Sequence, residues 1–311
     1  METLLKKEKI VEDLKEILET KKIYQDFDLK EYTSFKIGGK ALVFVEIENV
    51  LDAKSLFNYV RTKNIKHFIL GAGTNIVFSS EGFRGIVIKM SINAITLLEE
   101  NKEKNEIIVK AGAGLKLNRL CEYVSDLGYG DISKIYGIPG SVGGAIKMNA
   151  GAYGSEIKDF ISSVIFLDEN LNTKELKNED LDLGYRKSIF TNKDYIILYG
   201  TFKFTKVDKT KQREEMIETL DKRIKAQPLD FPSAGSVFKR GDGFITSKLI
   251  DDLGLKGLRV GDAVVSSKHA GFIINLKNAS SEDVKNLIKQ IQKEALEKED
   301  KVLETEIIFV D

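Results

Sequence analysis

Cysteine, histidine and proline are scarce in this chain. Cys121 is the sole cysteine, which excludes an intrachain disulfide and any cysteine-built metal cluster. His67 and His269 are the only histidines, too few for a histidine-rich metal centre, so no metal is expected. This usage fits a reduced, cytoplasmic compartment. Neither sign of charge is in excess, since 48 Lys and Arg oppose 48 Asp and Glu. A balanced chain has no global field to attract nucleic acid or an anionic membrane, so neither is an expected partner. No run approaches the roughly 20 apolar residues of a membrane span. The opening METLLKKEKIVEDLKEILETKK is charged throughout and lacks the apolar stretch of a signal peptide. A cytoplasmic monomer is expected. Pro139, Pro228 and Pro232 are the only prolines, and they lie in or beside two loops, which marks those loops as shaped.

What is present is enough for real cores: 42 % of the 311 residues are hydrophobic, and the length predicts two or three domains. Ile10, Val11, Leu14, Ile17 and Leu18 recur at helical spacing, so an amphipathic helix opens the chain over 3–20. After a Gly38-Gly39 turn come a strand at Ala41–Ile47, a helix at Leu51–Lys63 and a strand at His67–Leu70. Further strands are predicted at Gly85–Lys89, Glu106–Ala111, Ile161–Leu167 and Tyr195–Phe204, with a helix over Leu117–Leu127. Short strands and helices alternate, which indicates α+β or α/β. From Lys206 the character changes to a charged helix ending before Pro228, with Ile217, Leu220 and Ile224 on one face, and a domain boundary is placed here. A helix at Phe244–Leu253, a strand at Ala270–Leu276, a helix opened by a capping box at Ser280 and Asp283, and a strand at Leu303–Val310 complete the chain.

Two segments are rich in bare backbone: Gly71-Ala-Gly-Thr-Asn75, directly after a strand, and GIPGSVGGAIKMNAGAYG from Gly137 to Gly154. Glycines let backbone N–H groups approach a ligand, and successive N–H groups form nests for phosphates. The alternative is tight turns and close packing alone. A Walker A loop is absent, and the third glycine of a Rossmann fingerprint is missing because position 76 is Ile. Two cradles in one chain point to a diphosphate ligand held in neither of those standard ways.

The segments YTSFKIGGKA, LGAGTNIVFS and YGIPGSVGGAIKMNAGAYGSEI resemble the flavin-binding module of the vanillyl-alcohol oxidase type. YRKSIF, PSAGSVFKR, KLIDDLGLKGLRVGDAVVSSKHAGFIIN and LETEI narrow this to the UDP-N-acetylenolpyruvoylglucosamine reductase family, over about residue 30 to the C-terminus and with the motifs in the family's order. The resemblance implies an α+β fold. A two-subdomain flavin module would span 1–205, with its inner boundary near 70–90. An α/β substrate domain would span 206–301, and a C-terminal strand at 302–311 would return to the flavin module. It implies non-covalent FAD, NADPH as co-substrate, and reduction of UDP-N-acetylglucosamine enolpyruvate in peptidoglycan precursor synthesis. The flavin residues would be Gly71, Ala72, Gly73, Thr74, Asn75 and Ile76 in the first cradle. In the second they would be Gly137, Ile138, Pro139, Gly140, Ser141, Gly143, Gly144 and Ala145, with Asn149, Ala150, Gly151 and Tyr153.

Three residues match the family's catalytic positions. Arg186, in YRKSIF, would stabilise the enolate-like charge that hydride addition creates on the enolpyruvyl carboxylate, for which a guanidinium is suited. Ser236, in AGSVFK, would donate the proton, and as a weak acid it needs positive potential or strong hydrogen bonds nearby. Glu306, in LETEI, would help stabilise the intermediate, with Glu304 as the solvated control; strand periodicity puts Glu304, Glu306 and Ile308 on one face. The competing readings are a surface Arg186 in a salt bridge, a small Ser236 packed in a turn and a solvated Glu306. Lys225 and Gln227 are assigned to the UDP and sugar, and Lys239 and Arg240 to the substrate site. Tyr153 is either a flavin contact or core, His269 a structural hydrogen-bonding residue, and Cys121 an inert buried thiol. The chain departs from the family at Gly241, where Pro is usual, and runs from YRKSIF straight into YIILYGTF, as in the shorter subclass. The alternatives are another FAD-dependent oxidase on the same module and a non-catalytic flavin- or nucleotide-binding protein.

Overall fold

The computed structural model describes residues 2–311, with side chains from residue 7 onward. The fold is α+β. A four-stranded sheet has the order Ile23–Asp28, Lys40–Ile47, Phe83–Met90, His67–Leu70. A larger antiparallel sheet has the order Thr173–Lys177, Ile161–Leu167, Ile196–Lys206, Glu106–Gly112, Ile95–Asn101. A three-stranded antiparallel sheet contains Arg259–Val260, Ala263–Val265 and Ile273–Asn275.

The chain divides into two compact units. The first comprises 1–24, 44–72 and 87–222. Its core lies between the larger sheet and the helices Leu117–Leu127 and Val142–Lys147, and holds Val109, Val124, Ile146, Val164 and Phe202, all 1 % exposed or less. Burying each such side chain contributes about 1.5–3 kcal/mol. The helix Leu117–Leu127 turns Leu117, Leu120, Cys121 and Val124 inward and ends at Gly128, whose φ of 82° is the left-handed C-terminal stop. The second unit comprises 25–43, 73–86 and 223–311. The helix Ser281–Glu299 buries Val284, Leu287, Ile288, Ile291 and Ala295 in its core. The capping box forms: Asp283 N–H donates to Ser280 Oγ at 3.0 Å and Ser280 N–H to Asp283 Oδ2 at 2.8 Å.

The opening helix runs over Glu2–Ile17 and buries Ile10, Val11 and Leu14, with Leu18 just beyond it, while Ile17 is exposed. Three expectations need correction. The helix Lys209–Ala226 does not bury Ile217 and Ile224, which are exposed; it buries Gln212, Met216, Thr219 and Arg223. Gln212 is drawn inward because its side chain pairs with backbone, donating to Tyr129 O at 2.9 Å and accepting from Asp131 N–H at 2.8 Å. The strand Ala270–Leu276 shortens to Ile273–Asn275. The strand Leu303–Val310 survives only at Ile308–Val310, where it pairs in parallel with Ile76–Phe78. Before that it bridges Phe238 at Thr305, so a change of partner interrupts it and simple alternation fails at Glu306.

Candidate active site

Gly71, Ala72 and the whole second glycine segment, 137–154, belong to the first unit. Gly71 follows the strand His67–Leu70, and a Cβ placed on it would stand 2.6 Å from Ser141 Oγ, so the two cradles touch there. Lys89 donates to Gly71 O at 2.6 Å, and burial pushes its ammonium pKa down. This lysine escaped sequence reading; its one signal was a lone cation closing the apolar strand GIVIK. Ser141 caps the helix Val142–Lys147, with Gly144 N–H donating to its Oγ at 3.3 Å. Gly143 approaches Ala113 so closely that a Cβ would lie 2.9 Å from that residue's Cβ. The N–H groups of Ala72 and Ser141 find no acceptor among the described residues. Backbone donors left without a partner, at half-buried Ala72 and buried Ser141, suit an anionic diphosphate, so the residues present fit FAD.

Arg186 also belongs to this unit. Gly184 and Lys187 exchange backbone hydrogen bonds of 3.0 and 3.2 Å, leaving Tyr185 and Arg186 at the tip of a tight turn. Arg186 has φ 54°, a left-handed conformation costing a side-chain-bearing residue on the order of 1–2 kcal/mol. Its guanidinium lies 5.1 Å from the centre of the Tyr185 ring. Asn149 is fully buried, with its Nδ2 donating to Glu156 Oε2 at 2.9 Å and to Gly184 O at 3.0 Å. Tyr153 is half exposed with φ 52°, which excludes the core alternative.

In the second unit the chain that follows Gly73 and Thr74 is tied to Glu306. Asn75 Nδ2 donates to Glu306 O at 3.1 Å, and Ile308 N–H donates to Asn75 O at 3.0 Å. Glu306 N–H in turn donates to Val237 O at 2.8 Å, and Val237 follows Ser236 directly. Asn75, Glu306 and Val237, the residue after Ser236, are therefore joined by one short hydrogen-bonded relay. Ser236 is exposed and Glu306 half-buried, whereas Glu304 is 72 % exposed and its carboxylate ion-pairs with Lys239. Lys239 thus has its charge matched by Glu304, and Thr246 Oγ1 donates to its carbonyl at 2.6 Å. Lys225 and Arg240 are exposed; Gln227 is half-buried, its N–H donating to Arg223 O at 2.8 Å. His269 accepts from Gly271 N–H at 3.1 Å through Nδ1, which steadies the segment whose Gly271 O receives Val237 N–H at 2.9 Å. This is a hydrogen bond of the structural kind expected of it. Cys121 is 1 % exposed, and burial pushes its thiol up to about 12, an inert state.

Known proteins resemble the chain over nearly its whole length. Residues 227–310 match the family described as UDP-N-acetylenolpyruvoylglucosamine reductase, C-terminal domain, and residues 41–173 match the FAD binding domain. The UDP-N-acetylenolpyruvoylglucosamine reductase of Caldanaerobacter subterraneus subsp. tengcongensis is 44 % identical over 289 residues, covering 93 % of this chain and 94 % of that one. That of Clostridium novyi is 40 % identical over 297 residues, covering 96 % and 95 %. The crystal structure of the UDP-N-acetylenolpyruvylglucosamine reductase from Thermus caldophilus superimposes with a TM-score of 0.76 at 30 % identity, covering 93 % of this chain and 98 % of that one. The expected α+β architecture, an FAD-binding domain followed by the reductase family's C-terminal domain, is borne out.

Proposed function

The chain belongs to the UDP-N-acetylenolpyruvoylglucosamine reductase family of FAD-dependent oxidoreductases, and from that premise we propose that it reduces UDP-N-acetylglucosamine enolpyruvate to UDP-N-acetylmuramate with NADPH in the cytoplasm. FAD held there would supply two-electron hydride chemistry between NADPH and the enolpyruvyl substrate. The chain's own residues do the rest. Backbone N–H groups at Ala72 and Ser141 would hold the FAD diphosphate, with Lys89 fixing the carbonyl of Gly71 beside them. Arg186 stabilises the negative charge that develops on the substrate carboxylate as the β-carbon gains hydride, and Glu306 supports it by sharing a proton with that carboxyl. Ser236 delivers the proton to the α-carbon. Lys225, Gln227 and Arg240 contact the UDP-sugar, with Lys239 held by Glu304 at the edge of that site. The division of labour follows the proposed domains, with 1–205 for flavin, 206–301 for substrate and 302–311 carrying Glu306 back to the cradle.

The observation that carries this reading is the relay from Asn75 through Glu306 to Val237. It ties a flavin-cradle residue, the candidate charge stabiliser and the neighbour of the candidate acid by bonds of 2.8–3.1 Å. The test is steady-state NADPH oxidation with UDP-N-acetylglucosamine enolpyruvate by Arg186→Ala, Ser236→Ala and Glu306→Gln. Each is expected to lose at least about tenfold in kcat while retaining yellow, flavin-loaded protein. Wild-type turnover in all three would remove the assignment.

A further inference from the structure

Asn149 was assigned to the flavin on motif grounds, yet its side chain is used within the protein. Its Nδ2 hydrogens go to Glu156 Oε2 at 2.9 Å and Gly184 O at 3.0 Å, and its Oδ1 accepts from Lys158 N–H at 3.0 Å. The residue is fully buried and sits at φ 42°. An amide this fully paired and buried is fixed in one orientation. Gly184 is the first residue of the four-residue turn 184–187 that carries Arg186. The other side of the turn is fastened to the same segment: buried Ser188 donates from Oγ to Lys147 O at 2.7 Å. Residues 147–149, which end the helix of the second glycine segment, therefore grip the Arg186 turn on both flanks. A left-handed arginine persists only where its surroundings over-determine it.

We propose that Asn149 is a positioning residue for Arg186, clamping the Gly184 carbonyl so that the turn presents the guanidinium in one place relative to the flavin cradle. This rests on the reading of Arg186 as the cation that meets the developing enolate. The test compares Asn149→Gly, which tolerates positive φ, with Arg186→Ala and the double variant, all as flavin-loaded holoenzyme. Flavin content and spectrum, anaerobic reduction by NADPH, and reoxidation by UDP-N-acetylglucosamine enolpyruvate are followed separately. For Asn149→Gly the expected result is full flavin content, NADPH reduction within about twofold of wild type, and reoxidation at least about tenfold slower. In the Arg186→Ala background the same change should slow reoxidation by less than about twofold, because the residue acts through one already removed. Asn149→Asp keeps the acceptor for Lys158 but loses both donations; it is the second variant if Asn149→Gly does not fold, with the same pattern expected. Loss of flavin with unchanged reoxidation per bound flavin would make Asn149 a cofactor contact and overturn the proposal. Slowing that multiplies in the double variant would overturn the clamp while leaving Arg186 catalytic. Wild-type reoxidation by Arg186→Ala alone would instead overturn the catalytic reading, and the clamp with it.

Discussion

Replacing Gly71 by alanine should disturb the cradle through one atom. The added Cβ would stand 2.6 Å from Ser141 Oγ, and the only other neighbour within 4 Å is Ser141 Cβ, at 3.8 Å. The hydroxyl must rotate away, and it is the cap of Gly144 N–H at 3.3 Å. Losing an N-cap costs about 1 kcal/mol, within a range of about 0.5–2, which lowers Tm by about 2–4 °C for a domain of this size. Ser141→Ala alone should cost the same, since it removes the same bond. In the double variant the Cβ meets only an ordinary methyl contact, so the loss should remain about 1 kcal/mol rather than doubling, a coupling of about 1 kcal/mol. Thermal unfolding of the apoprotein measures stability, and quenching of FAD fluorescence on titration measures affinity. Additive losses would refute the contact between the two cradles. Gly73→Ala is the contrast. Its Cβ would lie 2.0 Å from the Tyr32 carbonyl oxygen at φ +68°, so backbone, not a side chain, must move and no second substitution at a side chain rescues it.

Glu304→Gln should leave kcat within about twofold and stability within about 1 kcal/mol, because its ion pair with Lys239 is exposed; steady-state NADPH oxidation beside Glu306→Gln checks this, and equal losses would erase the distinction between them. Cys121, with its thiol pushed up to about 12 by burial, should resist a disulfide reagent at pH 8 in the native protein and react in denaturant. His269 has its pKa lowered from 6.5 by burial, so the neutral ring is the native form. The stability this contributes is complete above pH 6.5 and falls away as the pH drops through the lowered native value. His269→Asn should flatten that decline in denaturant midpoints measured between pH 7.5 and 5.

Much of the candidate site is legible because glycine density and proline placement mark backbone that must take one shape, and Gly71 does sit against Ser141, as Gly143 does against Ala113. Regular elements with clean signals also read well: the helix Leu117–Leu127 has its apolar stripe and a terminal glycine, and the capping box at Ser280 forms. The misses share a cause. The helix Lys209–Ala226 turns Gln212 inward to satisfy the backbone of Tyr129 and Asp131, a demand invisible to apolar periodicity. The segment before Ile308 changes partner between Phe238 and Ile76, so its alternation carries no information about Glu306. Lys89 and the clamp on Gly184 depend on contacts between segments far apart in sequence, and no local pattern announces them. The candidate trio Arg186, Ser236 and Glu306 rests on family motifs, since Arg, Ser and Glu in loops are otherwise unremarked.

The central claim is a flavin that links NADPH to the enolpyruvyl substrate, and an anaerobic titration followed by visible absorbance tests it most directly. The purified protein should show flavin bands, bleach on addition of NADPH, and recover its colour fully when UDP-N-acetylglucosamine enolpyruvate is added without oxygen. Recovery only on admitting oxygen, or a protein that takes up no FAD at all, would contradict the account.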